Sequence, residues 1–386
     1  MSYTIGIDVG SVTTCAAIMD GGEPQVLYLG AGAPTMPSYV AFVDGERMLV
    51  GAAAKRQAQL NPQRTVHSLK RLLGRGYAAP EVARAQAVLP FAIVLGASGE
   101  ACVQIDGRDY QPEQLQAVLL QRVRELAEEY VGAPVTDAIL AVPTHFRPVQ
   151  RRALVAAAQL AGLRARSVVN EPVAAALAAA GGGAGDHLAV VDLGGTFNVS
   201  ILGRDGGALT TRAAARDPLL GGDAFDERLV ARLCAVFGAT YGIDLEGDAM
   251  ARQRLRDAAE NAKRALSVAT DVLIDLPALA QGPGGTIGFG YRLVRAELEA
   301  LCAHLLARIP GPCEKALAAA GLARGDIDTL VLCGGMSHMP AVRAAVAAAL
   351  GARGCAPVSP EAAVALGAAA FGRAPPAPKA GGGHGG

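Results

Sequence analysis

Apolar runs of strand length alternate with helical patterns along almost the whole chain, which predicts an α/β protein. One arrangement occurs twice. Residues 3–19 read as a strand, a glycine-containing turn and a return strand, TIGIDVG followed by SVTTCAAIM. Residues 188–202 repeat it as LAVVDLG followed by GTFNVSIL. In both copies an apolar run ends in Asp-X-Gly and a hydroxyl residue opens the return strand. Each copy lies near the start of one half of the chain. Two similar lobes related by a pseudo-twofold would bring these turns face to face across a cleft.

The stretch Gly181-Gly182-Gly183-Ala184-Gly185 marks the expected break between the lobes. The predicted division is a first lobe over 1–185 and a second over 186–358. A closing helix over 359–373 is expected to return to the first lobe, its core at 360–371, and the first lobe itself to close on the Ala-rich helix 172–180. The tail 374–386, APPAPKAGGGHGG, has no apolar periodicity and is expected to be disordered.

Composition narrows the classes. Of 386 residues 51% are hydrophobic and 18% charged, which fits a compact protein with a large core. Lys+Arg and Asp+Glu both total 35, so no global field draws the chain to nucleic acid or anionic lipid. The seven cysteines (Cys15, Cys102, Cys234, Cys302, Cys313, Cys333, Cys355) form no CxxC pair and read as reduced thiols. The chain enters its first strand without a basic leader, so no signal peptide is expected. Its most apolar stretch, 88–95, is far shorter than the roughly 20 residues a bilayer-spanning helix needs. The expectation is a soluble, cytoplasmic protein.

A triphosphate with its metal needs backbone N–H groups, hydroxyls, a cation, and carboxylates for the metal or its waters. The two turns offer the first of these: Gly10 and Ser11 after Asp8, and Gly194, Gly195 and Thr196 after Asp192. Glycine lets the backbone approach a phosphate closely. One Asp-X-Gly turn reads equally well as an ordinary tight turn, but two at matching places in two half-chains point to a shared ligand.

Longer strings are specific. GIDVGSVTTCAAIMDGG (6–22) resembles the first phosphate loop of DnaK-type chaperones, the heat-shock protein 70 family. GAAAKRQAQLNPQRTVHSLKRLLGR (51–75) resembles the segment that delivers that family's active-site lysine, here Lys70. VPTHFRPVQRRAL (142–154) and AGLRARSVVNEPVAAALA (161–178) are similar to its interlobe segments and place its catalytic glutamate on Glu171. VVDLGGTFNVSILG (190–203) resembles the second phosphate loop. GGDAFDERL (221–229), RLRDAAENAKRALS (254–267) and LCGGMSHMPAVRAAV (332–346) resemble the ribose and adenine elements, and SPEAAVALGAAAF (359–371) the closing helix. The strings run in order from residue 3 to about 372.

The resemblance implies a two-lobed actin-like ATPase fold, duplicated ribonuclease-H-like lobes with a nucleotide cleft between them. It implies ATP/ADP and Mg²⁺ as ligands. Lys70 would place a point charge on the β/γ-phosphates; without the resemblance it reads as a solvated helix lysine beside Arg71. Asp8 and Asp192 would hold Mg²⁺, largely through waters. Glu171 would orient or deprotonate the attacking water; its Asn-Glu-Pro setting also reads as a helix start, with Asn170 as cap. Thr196 completes the catalytic set. The cofactor-binding set is Gly10, Ser11, Val12, Gly194, Gly195, Gly221, Gly222, Glu260, Lys263, Arg264, Ser267, Gly334, Gly335, His338 and Glu361. Separations of three, four and seven put Glu260, Lys263, Arg264 and Ser267 along one side of a helix. A solvated face with i,i+4 pairing is the plain alternative. In the family that face opposes the Gly334-Gly335 turn, with the base between.

Several departures fall at working positions. The second loop has two glycines where the family has three. Asn198 stands where the family has an aspartate, so metal positioning or proton handling is expected to weaken. Val12 replaces a threonine, and His338 replaces an arginine that stacks on adenine. The surface that receives a J-domain co-chaperone is altered at His145, Arg147, Pro148 and Ser167, with Arg166 adjacent; a nucleotide-exchange factor is the other implied partner. Pro143 and Arg151 match the family's interlobe relay. The family's apolar-acidic linker and β-rich peptide-binding domain are read as missing, so independent peptide chaperoning is not expected.

The leading reading is an ATP-binding, slowly ATP-hydrolysing module of a DnaK-like chaperone. The alternative is a nucleotide-sensing regulatory module with little turnover, which Asn198 and the short second loop favour. A sugar kinase or an actin-like filament protein would share the fold, but no sugar-facing base and no filament insertions mark the sequence.

Overall fold

The structure is a computed structural model and describes residues 3–30, 32–44, 47–179, 185–205 and 208–372. Two sheets carry the architecture. The first contains β1 (Tyr3–Val9), β2 (Thr13–Asp20), β3 (Glu23–Val26), β4 (Val135–Val142) and β5 (Arg164–Asn170), in the order β5-β4-β1-β2-β3. A short strand, Thr35–Pro37, also pairs with β2. The second sheet contains β6 (His187–Leu193), β7 (Phe197–Asp205), β8 (Ala208–Asp217), β9 (Thr329–Cys333) and β10 (Gly354–Cys355), in the order β10-β9-β6-β7-β8.

The two sheets have one topology. In each, the first strand in sequence lies at the centre, with two parallel strands on one side and two antiparallel strands on the other. The repeated strand-turn-strand pattern of the sequence is the visible part of this duplication. The parallel strands β1, β4 and β6 are buried and read as near-continuous Ile/Val/Leu/Ala runs, as strands covered on both faces do.

Two apolar cores flank the sheets, one built from residues between Ile5 and Leu163 and the other from residues between Ala189 and Leu350. A third, Ala-rich core joins them. Ile139, Ala141 and Val169 of the first sheet and Leu188, Val190 and Val331 of the second meet the helices Glu171–Ala179 and Ala363–Phe371 there. Small residues let these backbones touch. A Cβ on Gly367 would stand 1.6 Å from the Ala174 carbonyl oxygen, and one on Gly6 would stand 2.2 Å from the Ala369 nitrogen. The closing helix lies against β1 of the first sheet, and it begins at Ala363, after a turn, rather than at 360.

Four of the five residues read as the break between lobes, and the whole tail 374–386, lie outside the described residues. Among the described residues no helix is long and apolar enough to cross a membrane.

Candidate active site between the two sheets

The two turns after β1 and β6 face each other: a Cβ on Gly195 would stand 4.0 Å from Ser11 Cβ. Each turn closes on itself, Gly10 N–H donating to the Thr13 carbonyl at 3.0 Å and Gly194 N–H to the Thr196 carbonyl at 3.2 Å. Each spans three residues between its strands, 10–12 in the first and 194–196 in the second. Different neighbours brace them. The Ser38 hydroxyl donates to the Gly10 carbonyl at 2.9 Å, Ser38 N–H donates to the Val12 carbonyl at 2.8 Å, and Thr14 Oγ1 sits 2.9 Å from Ser38 Oγ. In the second turn Gly222 N–H donates to the Gly194 carbonyl at 2.8 Å. A Cβ on Gly221 would come within 2.3 Å of the Gly195 carbonyl oxygen, so backbone packs directly on backbone.

A largely shielded ion pair is coupled to the aspartates that precede both turns. Lys70 sits on a short 3₁₀ turn, Leu69–Arg71, that follows strand Thr65–His67. Ser68 joins the two in the left-handed conformation at φ 58°, an uncommon state for a residue with a side chain, and it redirects the chain toward the cleft. Lys70 Nζ donates to Glu171 Oε1 at 2.6 Å, with both side chains 13% exposed. Glu171 is the first residue of its helix, where the backbone dipole favours an anion. Burial opposes the charged form of Lys70, yet Glu171, Asp8 and Asp192 together hold its pKa above the usual lysine value.

Asp8 and Asp192 are half-buried near the ends of their strands, and desolvation pushes each carboxyl to about 7. The Lys70 ammonium opposes that rise in both, and Glu171 adds to it. Asp8 is a further cause of the rise at Asp192. Three carboxyls crowded around one ammonium leave negative charge that a cation would neutralise. Among the described residues no three His, Cys, Asp or Glu side chains stand close enough to ligate a metal directly. The Asp8/Asp192 pair therefore fits a hydrated Mg²⁺, which keeps most of its waters, better than a directly chelated ion.

The second sheet brings the remaining residues. Helix Ala249–Ala265 carries Glu260, Lys263 and Arg264, while Ser267 lies just beyond its last turn, its N–H donating to the Arg264 carbonyl. The expected single helical row of four is thus three residues on the helix and one in the turn that ends it. Lys263, 8% exposed, donates to Asp226 Oδ2 at 2.7 Å and to the Gly222 carbonyl at 3.1 Å. Arg264 and His338 both approach Glu361 Oε1, each at 3.9 Å, so three residues of the predicted adenosine set converge at the start of the closing segment. Gly334, at φ +80°, packs so that a Cβ would stand 2.5 Å from the Leu193 carbonyl carbon, a close approach only glycine allows.

Three contacts that sequence reading missed span the cleft. Lys55 Nζ pairs with Glu260 Oε2 at 2.5 Å, Gln59 Nε2 donates to Asp257 Oδ2, and Arg71 pairs with Asp223 at 3.2 Å. Glu260 was expected to face the nucleoside; its charge is taken up by Lys55 from the other side. Asp226 was missed as well, and its signal was the GGDAFDE string, which places an acid four residues after Gly222.

Arg151 bridges toward the site. Its guanidinium donates to the Phe146 carbonyl at 3.1 Å and to Asn170 Oδ1 at 2.6 Å. The Asn170 side chain, read as a helix cap, is thus taken up by Arg151, directly beside Glu171. Asn198 lies opposite Asp192 in the ladder, and its amide donates to Thr196 Oγ1 at 3.0 Å. Of the altered surface, Ser167 lies in β5, and Arg166 is held by Asp137 at 3.8 Å.

A family model described as "Hsp70 protein" matches residues 4–374, nearly the whole chain. The chain belongs to the Hsp70 family, whose members are chaperone-type ATP-binding ATPases with the actin-like fold.

Proposed function

We propose that this Hsp70-family chain binds ATP with Mg²⁺ between its two sheets and hydrolyses it slowly. The observation that supports this most is the Lys70–Glu171 pair, 2.6 Å long and largely shielded from solvent, electrostatically coupled to the two half-buried aspartates that precede the facing glycine turns. The backbone N–H groups of the two turns other than those of Gly10 and Gly194 would receive the phosphates, with the Ser11 and Thr196 hydroxyls beside them. Lys70 would exchange its bond to Glu171 for one to the β/γ-phosphates. That exchange leaves the Glu171 carboxylate unpaired and able to orient or deprotonate a water. Asp8 and Asp192 would hold Mg²⁺ through its waters, and Mg²⁺ supplies neutralising charge for the phosphates when bound. The adenosine would lie among Lys263, Arg264, Ser267, His338, Glu361 and the Gly334-Gly335 turn, with Gly221-Gly222 and Glu260 toward the ribose.

Two features support slow turnover. Asn198 offers an amide where a carboxylate would carry negative charge, and that amide is spent on the Thr196 hydroxyl. The side chains that would position a co-chaperone, His145, Arg147, Pro148 and Ser167, differ from those of the family, so a J-domain or exchange-factor partner would meet an altered surface.

A second reading, a nucleotide sensor with little turnover, draws on the cross-cleft contacts of Lys55, Gln59 and Arg71, which would report closure of the cleft. Asn198→Asp separates the two. Under single turnover it should raise phosphate release about tenfold if the missing carboxylate limits hydrolysis. No gain, with wild-type release near background, would favour the sensor.

A further inference from the structure

Beneath the brace of the second turn lies a further layer. Gly222 is the first residue of helix Gly222–Tyr241, and both of its main-chain groups are committed. Its N–H donates to the Gly194 carbonyl at 2.8 Å, and its own carbonyl accepts from Lys263 Nζ at 3.1 Å. The same ammonium donates to Asp226 Oδ2 at 2.7 Å, four residues beyond Gly222 and so on the same side of that helix. A Cβ on Gly222 would stand 3.1 Å from Lys263 Nζ, so the ammonium packs against the backbone itself. Three polar contacts thus run in series from Asp226 through Lys263 and Gly222 to the turn after Asp192.

The pair is sheltered, with the Lys263 and Asp226 side chains 9% and 15% exposed. Asp226 Oδ1 is buried and has no hydrogen-bond partner among the described residues. Burial lifts the Asp226 carboxyl to about 6 against the pull of Lys263, and Glu260 and Asp223 add to the rise. Cys302, a buried thiol, also lies within reach of both charges. A sheltered ion pair loses hydration that its own attraction does little more than offset, so stability alone is a weak account of it. Its place behind the second turn is a better one.

We propose that Asp226 is a positioning residue for nucleotide binding: it holds the Lys263 ammonium on the Gly222 carbonyl and thereby sets the backbone that braces the second turn. The inference rests on the cleft binding nucleotide as proposed above. The effect of Asp226 passes through Lys263 and not through contact with the nucleotide.

The test is ADP affinity by titration calorimetry on the full chain, for Asp226→Asn, Lys263→Met and the double variant. Asp226→Asn should weaken binding about tenfold. In the Lys263→Met background the same change should cost less than about twofold, because the group it positions is gone. The double variant removes both charges of the pair, so it serves where a single variant, left with one buried charge, unfolds. A pH profile adds a readout that lost packing would not move. Wild-type affinity should weaken relative to the double variant as pH falls through about 6, where Asp226 takes up a proton and its hold on Lys263 weakens. Asp8 and Asp192 titrate in both proteins and cancel in the ratio. A full tenfold cost of Asp226→Asn in the Lys263→Met background, or parallel pH profiles, overturns the proposal. A wild type that binds no ADP sinks the reading of the site and the inference with it, whereas wild-type binding that Asp226→Asn leaves unchanged sinks the inference alone.

Discussion

The two glycine turns follow similar backbone paths but differ in what holds them. The first, at Gly10, is braced by the Ser38 hydroxyl, with Thr14 beside it, and by the Ser38 N–H on Val12; the hydroxyls can be trimmed while that backbone bond stays in place. The second, at Gly194, is braced by the backbone of Gly221 and Gly222, with no space between. The surrounding charges divide as well. Lys70 and Glu171 come from the first half of the chain, while Lys263, Arg264, His338 and their acids come from the second. The two sheets are equivalent frames, and in the function proposed above the first would carry the chemistry and the second would hold the nucleoside. The difference teaches that loss of function should take two forms, loss of turnover from one side and loss of affinity from the other.

The largest expected effect is on turnover. Glu171→Gln should lower single-turnover hydrolysis by about 10²–10³-fold with nucleotide affinity little changed. An equal loss of affinity would break the division of roles. Next is the brace of the second turn. Gly221→Ala forces a Cβ toward the Gly195 carbonyl oxygen and should weaken ATP binding by about 30-fold, roughly 2 kcal/mol by titration calorimetry. Ser38→Ala, its counterpart in the first turn, should cost only about 1 kcal/mol. Equal costs would show that the two braces are equivalent.

A third effect follows from the half-buried aspartates Asp8 and Asp192. A carboxyl whose folded pKa is raised to about 7 keeps its proton to higher pH than in the unfolded chain. The stability it contributes is full below the unfolded value of 3.8 and is lost as pH rises through about 7. Mg²⁺-ATP would need both groups ionised, so binding near pH 7 should release protons, and well above it should not. Calorimetry in buffers of different ionisation enthalpy measures this; a buffer-independent heat near pH 7 would contradict it. The smallest effect belongs to the cleft mouth. Lys55→Ala removes the pair with Glu260 and should speed ADP release by a few-fold, since such a partly exposed pair contributes about 1 kcal/mol or less.

Much of the fold was legible because its units are local. The strand-turn-strand repeat needs only a period of two, a glycine turn and a second apolar run, and both copies fall within a few residues of the predicted bounds. The meeting of Lys70 and Glu171 was legible only through the ordered family strings, because nothing local in LKRL or NEPV separates a cleft pair from a surface lysine and a helix start. The partners of Glu260 were not legible. Helical spacing placed it beside Lys263 and Arg264 correctly, but Lys55 lies 205 residues away and reaches it only once both halves have folded. Ser38, 28 residues from Gly10, escaped for the same reason. Ser267 was misplaced because a helical pattern does not show where the last turn ends.

The central claim is that this cleft binds Mg²⁺-ATP and hydrolyses it through Lys70 and Glu171. The most direct test mixes purified protein with Mg²⁺-ATP and follows bound nucleotide by calorimetry and phosphate release under single turnover. Tight binding with slow release that disappears in Lys70→Ala is the predicted result. Absence of nucleotide binding, or release that survives in Lys70→Ala, would contradict it.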